Sequence, residues 1–358
     1  MILNRIKVGI FSIMFAVAGL KAMAYEDSLM TTNMEDFIMT TDWDKTFPES
    51  DKVEHSKITF HNRYGITLAA DLYKPKGVNG KLAAIALSGP YGAIKEQVSG
   101  RYAQALAERG FLTVAFDPSF TGESGGTPRC LTSPEISTDD FSAAVDYLLT
   151  RDDVDYDHIG ILGICGWGGF ALNAAANDPR IKATVASTMY NMTEVTANGY
   201  FNAADDADAR YKMRQQLNDI RTKDYRNGEV SFAGSVSGDF TPETPNFVRR
   251  YFDYYKNPKR GFHHRSPNST TGMTATSALA YMNMPINTYI DEIRNPVLLV
   301  HGSEAHSLYF SEEAFKHLKG DNKELYIVPG ADHTDLYDNL DMIPFDKIES
   351  FYLKAFEK

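Results

Sequence analysis

Residues 159–172 read Ile159-Gly160-Ile161-Leu162-Gly163-Ile164-Cys165-Gly166-Trp167-Gly168-Gly169-Phe170-Ala171-Leu172. A short apolar run leads into Gly-x-Cys, and a Gly-Gly pair then opens into a helical pattern over 170–176. This is the signature of a buried strand, a tight turn and a helix, and it commits the chain to packing helices against a sheet. A side chain on such a turn is lifted above the sheet on strained backbone, and small neighbours let strand and helix approach. Cys165 holds that place and is the candidate nucleophile. The alternative for a lone cysteine is a buried small hydrophobe.

The flanking sequence extends the theme. Residues 57–61 and 68–73, joined by Asn62-Arg63-Tyr64-Gly65, predict an antiparallel pair of strands. Further buried strands are predicted at 83–89, 112–117, 183–188, 296–302 and 324–328. Helical spacing covers 95–110 and 138–149, with Asp139 and Asp140 enriching the first turn of the second, and a closing helix is predicted over 344–356. The alternation predicts an α/β protein: a mostly parallel eight-stranded sheet with helices on both faces and ligands at the carboxyl ends of its strands. Roughly a hundred residues separate the strand at 183–188 from the next, which is too long for a connection. Residues 191–290 are therefore expected to form an inserted helical lid on a core made of 54–190 and 291–358. The lid contains a charged helical stretch over 204–219, a Gly/Ser/Pro/Thr-rich interval over 228–245 and an aromatic helix over 247–256.

With 358 residues, 43% of them hydrophobic, the chain can bury a core without disulfides or metals. Arg5 and Lys7, an apolar run over 8–20 and Ala22-Met23-Ala24 read as a signal peptide over 1–24, so the protein is expected to be periplasmic or secreted. The apolar run is short for a membrane span. Residues 25–53 are polar and acidic and are expected to wrap the domain as an N-terminal arm. The formal net charge is −11, and removing the leader strips Arg5, Lys7 and Lys21, making the surface more acidic still. Such a surface repels phosphate backbones and anionic membranes, so neither nucleic acid nor, after leader removal, a membrane is an expected partner. Export would also place Cys130 and Cys165 in an oxidising compartment, where a disulfide between them would compete with catalysis.

A cysteine nucleophile needs a base, an orienter for that base and donors for the oxyanion. His333 follows the last predicted strand in Gly-Ala-Asp-His and is the candidate base. Glu304, two residues after Gly302 at the end of the preceding strand, is the candidate orienter, with Asp332 and Asp335 as alternatives. One oxyanion donor is the amide of Gly166. The other must come from the loop after strand 83–89, where Pro90 has no N–H; Tyr91 is expected there, with Gly92 as the alternative.

Other residues carry less. His263-His264, beside Lys259, Arg260 and Arg265, reads as a solvated basic segment of the lid rather than an anion site. His301 and His306 lack partners at metal-ligand spacing, so no metal site is expected. Tyr251, Phe252, Tyr254 and Tyr255 read as the core of a helical lid rather than a substrate platform.

Gly163-x-Cys165-x-x-Gly168-Gly169, the run from Tyr91 to Gln97, Gly122-Glu123-Ser124-Gly125 with Pro128-Arg129, Gly302-Ser303-Glu304-Ala305-His306 and Gly330-Ala331-x-His333-x-Asp335-Leu336-Tyr337-Asp338 together resemble the bacterial α/β-hydrolases related to dienelactone hydrolase. The resemblance covers nearly all of the chain beyond the arm. It implies an α/β-hydrolase fold, a cysteine or serine nucleophile with an acid and a histidine, and no cofactor. Cys165, Glu304 and His333 fall at the triad positions and Tyr91 in the oxyanion loop. The expected activity is hydrolysis of a small-molecule ester, thioester or lactone through a cysteine acyl-enzyme. The alternative is a non-catalytic or redox-controlled binding protein on the same fold. Three departures stand out: Trp167 where a small residue is usual and where an indole is expected to crowd the site, Gly89 in place of a histidine before Pro90, and Ala305 where many members have the acid.

Overall fold

The computed structural model describes residue 40 and residues 42–357. The expected leader and most of the expected arm lie outside the described residues. Eight strands, β1 (Val53–His61), β2 (Thr67–Pro75), β3 (Leu82–Ser88), β4 (Leu112–Phe116), β5 (Val154–Ile164), β6 (Ala183–Ser187), β7 (Val297–Gly302) and β8 (Lys323–Val328), form one sheet. Their order is β1-β2-β4-β3-β5-β6-β7-β8. β1 and β2 are antiparallel to each other and β2 is antiparallel to β4, while the six strands β3 through β8 run parallel. Burial follows from this position. Every residue of β4, β6 and β7 is buried, as continuous apolar strands covered on both faces require, whereas the edge strand β1 mixes buried and exposed positions.

Helices α1 (Val98–Ala107), α2 (Pro134–Leu148) and α3 (Gly166–Asn177) connect the parallel strands, and α2 packs on α3. Past β6 come α4 (Met192–Asn198), α5 (Ala207–Asn227), α6 (Asn246–Lys256) and α7 (Ser277–Asn283); α8 (Leu308–His317), α9 (Asp335–Asp338) and α10 (Phe345–Phe356) complete the chain. α5 runs well beyond the expected 219 and stops where Gly228 takes left-handed backbone, φ 65°. Among the described residues, no helix is long and apolar enough to cross a membrane.

Two local expectations change. α2 starts at Pro134, earlier than the acidic pair suggested, because proline suits the first helical position. Asp140 then falls inside the helix and is fully buried. It accepts bonds from the Ser119 amide (2.8 Å), the Ser119 hydroxyl (2.7 Å) and Asn62 Nδ2 (2.9 Å), tying the β1–β2 turn to α2. Burial pushes its carboxyl up to about 7 despite those donors. Trp167 does not crowd the cleft either. Its indole is buried and packs edge-on to Phe116 at 5.8 Å and Phe141 at 5.6 Å, between β4 and α2.

Candidate active site

The centre of the site is the turn from β5 into α3. Cys165 has φ 57° and ψ −125°, a conformation that L-residues avoid and that the sharp turn from strand to helix imposes. Its amide donates to the Ser187 carbonyl at 2.9 Å, and its carbonyl accepts from Gly168 and Tyr190 at 2.9 Å each, so the strained turn is held from several sides. Gly163 permits the close crossing: a methyl there would overlap the Trp167 carbonyl.

Three groups converge on the sulfur. The backbone amides of Gly166 and Tyr91, the pair expected to serve an oxyanion, face it, and the hydroxyl of Tyr337 lies beside it. Burial pushes the thiol up to about 11 even so. The Tyr91 loop is pinned from the insertion. Asn268 Nδ2 donates to the Tyr91 carbonyl at 2.6 Å, and the Asn268 amide and Ser266 hydroxyl donate to the Gly92 carbonyl at 3.0 and 2.9 Å.

His333 stands on the loop between β8 and α9, almost fully buried. Its Nε2 meets the Tyr337 hydroxyl at 3.0 Å, and its Nδ1 meets Thr188 Oγ1 at 2.8 Å and Ser307 Oγ at 2.6 Å. Ser307 also bonds His301 Nε2 at 2.9 Å, and His301 Nδ1 bonds Ser311 at 2.6 Å. Burial, reinforced by the nearby His306 and His301, lowers the affinity of His333 for a second proton well below that of an ordinary histidine. The resting pair is thus a neutral thiol and a neutral imidazole.

Glu304 does not orient this imidazole. Its side chain is exposed and accepts from its neighbour Ser303 at 3.2 Å, because the turn after β7 points it to solvent. Asp332 and Asp335 do not orient it either: both face Arg250, at 2.8 and 3.6 Å. Thr188 and Ser307, rather than a carboxylate, are the hydrogen-bond partners at Nδ1. Both cysteines are free, so the expected disulfide alternative is not adopted.

The insertion closes over this pair. Phe247, Tyr251 and Tyr255 lie at i, i+4 and i+8 on α6 and face inward: Phe247 stacks on His306 at 3.9 Å, Tyr251 lies 5.4 Å from His333, and Tyr255 lies 6.4 Å from Tyr337. α6 and the loop after it are tied to the histidine loop by Arg250 on Asp332 and by a bidentate Arg260–Asp338 pair at 2.9 and 2.6 Å. Cys165 keeps only 7% of its surface.

Beneath the oxyanion loop lies a buried ionic cluster. Lys95 Nζ sits 2.6 Å from Glu96, 2.9 Å from Asp117 and 2.5 Å from Glu123. These carboxylates have oxygens within 4.8 Å of one another, close enough to hold a metal ion, but the lysine ammonium already sits among them. Arg265 from the insertion reaches Glu96 at 2.9 Å and Asp44 of the arm at 2.7 Å, and His263 bonds the Asp44 carbonyl at 3.1 Å. The segment expected to be solvated is instead drawn inward by acids remote in sequence. The Glu96 carbonyl accepts from the Thr46 amide at 2.9 Å, so the arm, the oxyanion loop and the insertion are locked together.

Sheet order, the strained turn after β5, the histidine after β8 and the paired amides define an α/β-hydrolase. The chain belongs to the X-Pro dipeptidyl-peptidase (S15) family, whose description matches residues 64–335. Protein PA2218 of Pseudomonas aeruginosa is 54% identical over 90% of this chain and 86% of its own length. The crystal structure of PA2218 superposes with a TM-score of 0.86, covering 89% of this chain and 98% of that one, at 53% identity. YcjY of Escherichia coli is 35% identical over 79% of this chain and 93% of its own. The alpha/beta hydrolase GrgF of a Penicillium species shares the fold, with a TM-score of 0.70 at 19% identity over 85% of this chain and all of its own. Fold and family together support a hydrolase.

Proposed function

We propose that the protein is an exported hydrolase that cleaves esters, thioesters or lactones through an acyl-enzyme on Cys165, the chemistry its likeness to dienelactone hydrolase implies. The observation that carries the proposal is the convergence of the Tyr91 and Gly166 amides on a sulfur held at positive φ. His333 accepts the thiol proton as general base, and sulfur attacks the substrate carbonyl. The two amides then hold the oxygen on which charge develops. The leaving group departs with a proton from His333, and water activated by the same imidazole releases the acid. A thiol pushed up to about 11 costs about 5 kcal/mol to ionise at pH 7, at 1.36 kcal/mol per unit. Proton removal therefore has to be coupled to attack, and there is no standing thiolate.

Family membership also raises cleavage after proline in peptides. A dipeptidyl-peptidase must hold the substrate's α-ammonium with an anion, yet the side chains that hydrogen-bond the His333 ring are phenol and hydroxyl groups. The test is turnover of p-nitrophenyl acetate and of glycyl-prolyl-p-nitroanilide under reducing conditions. Ester turnover that Cys165→Ala abolishes supports the proposal, whereas ester turnover that survives the substitution, or cleavage of the anilide alone, rejects it.

A further inference from the structure

We propose that Tyr337 is a catalytic residue that carries the Cys165 proton to His333. This rests on the acyl-enzyme reading above and specifies its first step. The thiol and the imidazole Nε2 both face one atom, the Tyr337 hydroxyl oxygen, which lies 3.0 Å from Nε2 and interacts with the sulfur. The base is in line with the nucleophile, but through a phenol.

The phenol is fixed in place. Tyr337 is fully buried, its ring packs against Tyr254 at 5.0 Å and His333 at 5.3 Å, and its amide bonds the Thr334 carbonyl at 3.1 Å. The Tyr102 hydroxyl holds the carbonyl of the preceding Leu336 at 2.7 Å. Moving the ring aside to allow direct contact would unpack all of these.

A hydroxyl has one proton to give and lone pairs to receive, so it can pass a proton without becoming charged. As the S–H bond breaks, a new O–H bond forms on Tyr337, and the original O–H bond breaks as an N–H bond forms on Nε2. The electron pair left on sulfur attacks the carbonyl carbon. Tyr337 ends neutral with its hydroxyl donating to the sulfur, while Nδ1 stays held by Thr188 and Ser307. Burial and the neighbouring Cys165 hold the phenol well above its ordinary pKa, which keeps it from being the resting anion.

The test uses the pre-steady-state burst of p-nitrophenol from p-nitrophenyl acetate. In the unmodified protein, the acylation rate plotted against the deuterium fraction of the solvent should bow below a straight line, because two protons move together. A straight line rejects the relay. Tyr337→Phe keeps the ring and removes the hydroxyl. It should slow acylation by roughly 100-fold or more, the scale of a lost general-base path, and straighten the residual plot. A Tyr337→Phe burst within about threefold of the parent likewise rejects the relay. Activity that persists in Cys165→Ala rejects the acyl-enzyme itself, which distinguishes the two failures.

Discussion

Lys95→Met tests whether the buried ionic cluster supports the oxyanion loop. The lysine side chain is fully buried, with three carboxylates within 2.9 Å of its ammonium. Its loss leaves Lys57, 2.8 Å from Glu123, and Arg265, 2.9 Å from Glu96, as the remaining close cations. Breaking a buried pair typically costs about 3–5 kcal/mol because the partner charge stays buried. That is a large share of the roughly 5–15 kcal/mol available to a folded chain. The penalty should depend on pH. Burial pushes the Glu123 carboxyl up, but Lys95 and Lys57 outweigh it and hold it at about 2, below the ordinary 4.5. A carboxyl depressed on folding adds stability above its unfolded pKa and loses it as pH falls through the folded value. Without Lys95 that contribution shrinks, so the gap between variant and parent should be widest near pH 7 and narrow toward pH 3. Urea unfolding at both pH values reads this directly. A loss under about 1 kcal/mol at pH 7, or an equal loss at both pH values, would refute the reasoning, since a buried cluster of three carboxylates cannot lose its central cation so cheaply.

Gly92→Ala should slow acylation by about 100- to 1,000-fold, the cost of displacing one oxyanion donor, because a methyl at φ +72° would overlap the Asn268 side chain that pins Tyr91; burst kinetics measure it. Glu304→Gln should leave ester turnover within about twofold, whereas Ser307→Ala, which removes a 2.6 Å bond to Nδ1, should cost about three- to tenfold, the scale of one net hydrogen bond. Alkylation of Cys165 by iodoacetamide should be slow at pH 7 and keep rising toward pH 11, because burial holds the thiol protonated up to about 11; a plateau by pH 8 would contradict that environment.

Much of the site was legible because backbone signals encode it. Glycines around Cys165 mark the tight turn after β5, the absence of an N–H at Pro90 leaves Tyr91 as the expected donor, and the position of His333 just past the last strand brings its loop to the same sheet end. Glu304 was misjudged because the turn after β7 decides direction within a few residues: it sends Glu304 outward and Ser307, at the start of α8, inward. Thr188 and Ser307 carry no sequence mark that separates them from any hydroxyl at a strand or helix end. Tyr337 did leave a trace, four residues after His333 in a motif already singled out, the spacing that brings its hydroxyl back to the imidazole. Arg265 and His263 looked solvated because Asp44 and Glu96 lie far away in sequence and meet them only in the folded chain. Trp167 looked obstructive because sequence alone does not tell that the indole drops between Phe116 and Phe141.

Mass spectrometry of protein quenched during the p-nitrophenyl acetate burst addresses the nucleophile itself. An acetyl group on the peptide containing Cys165, absent when His333 is replaced by alanine, is the expected result. Acetyl found on any other residue, or turnover with Cys165 left unmodified throughout, would contradict it.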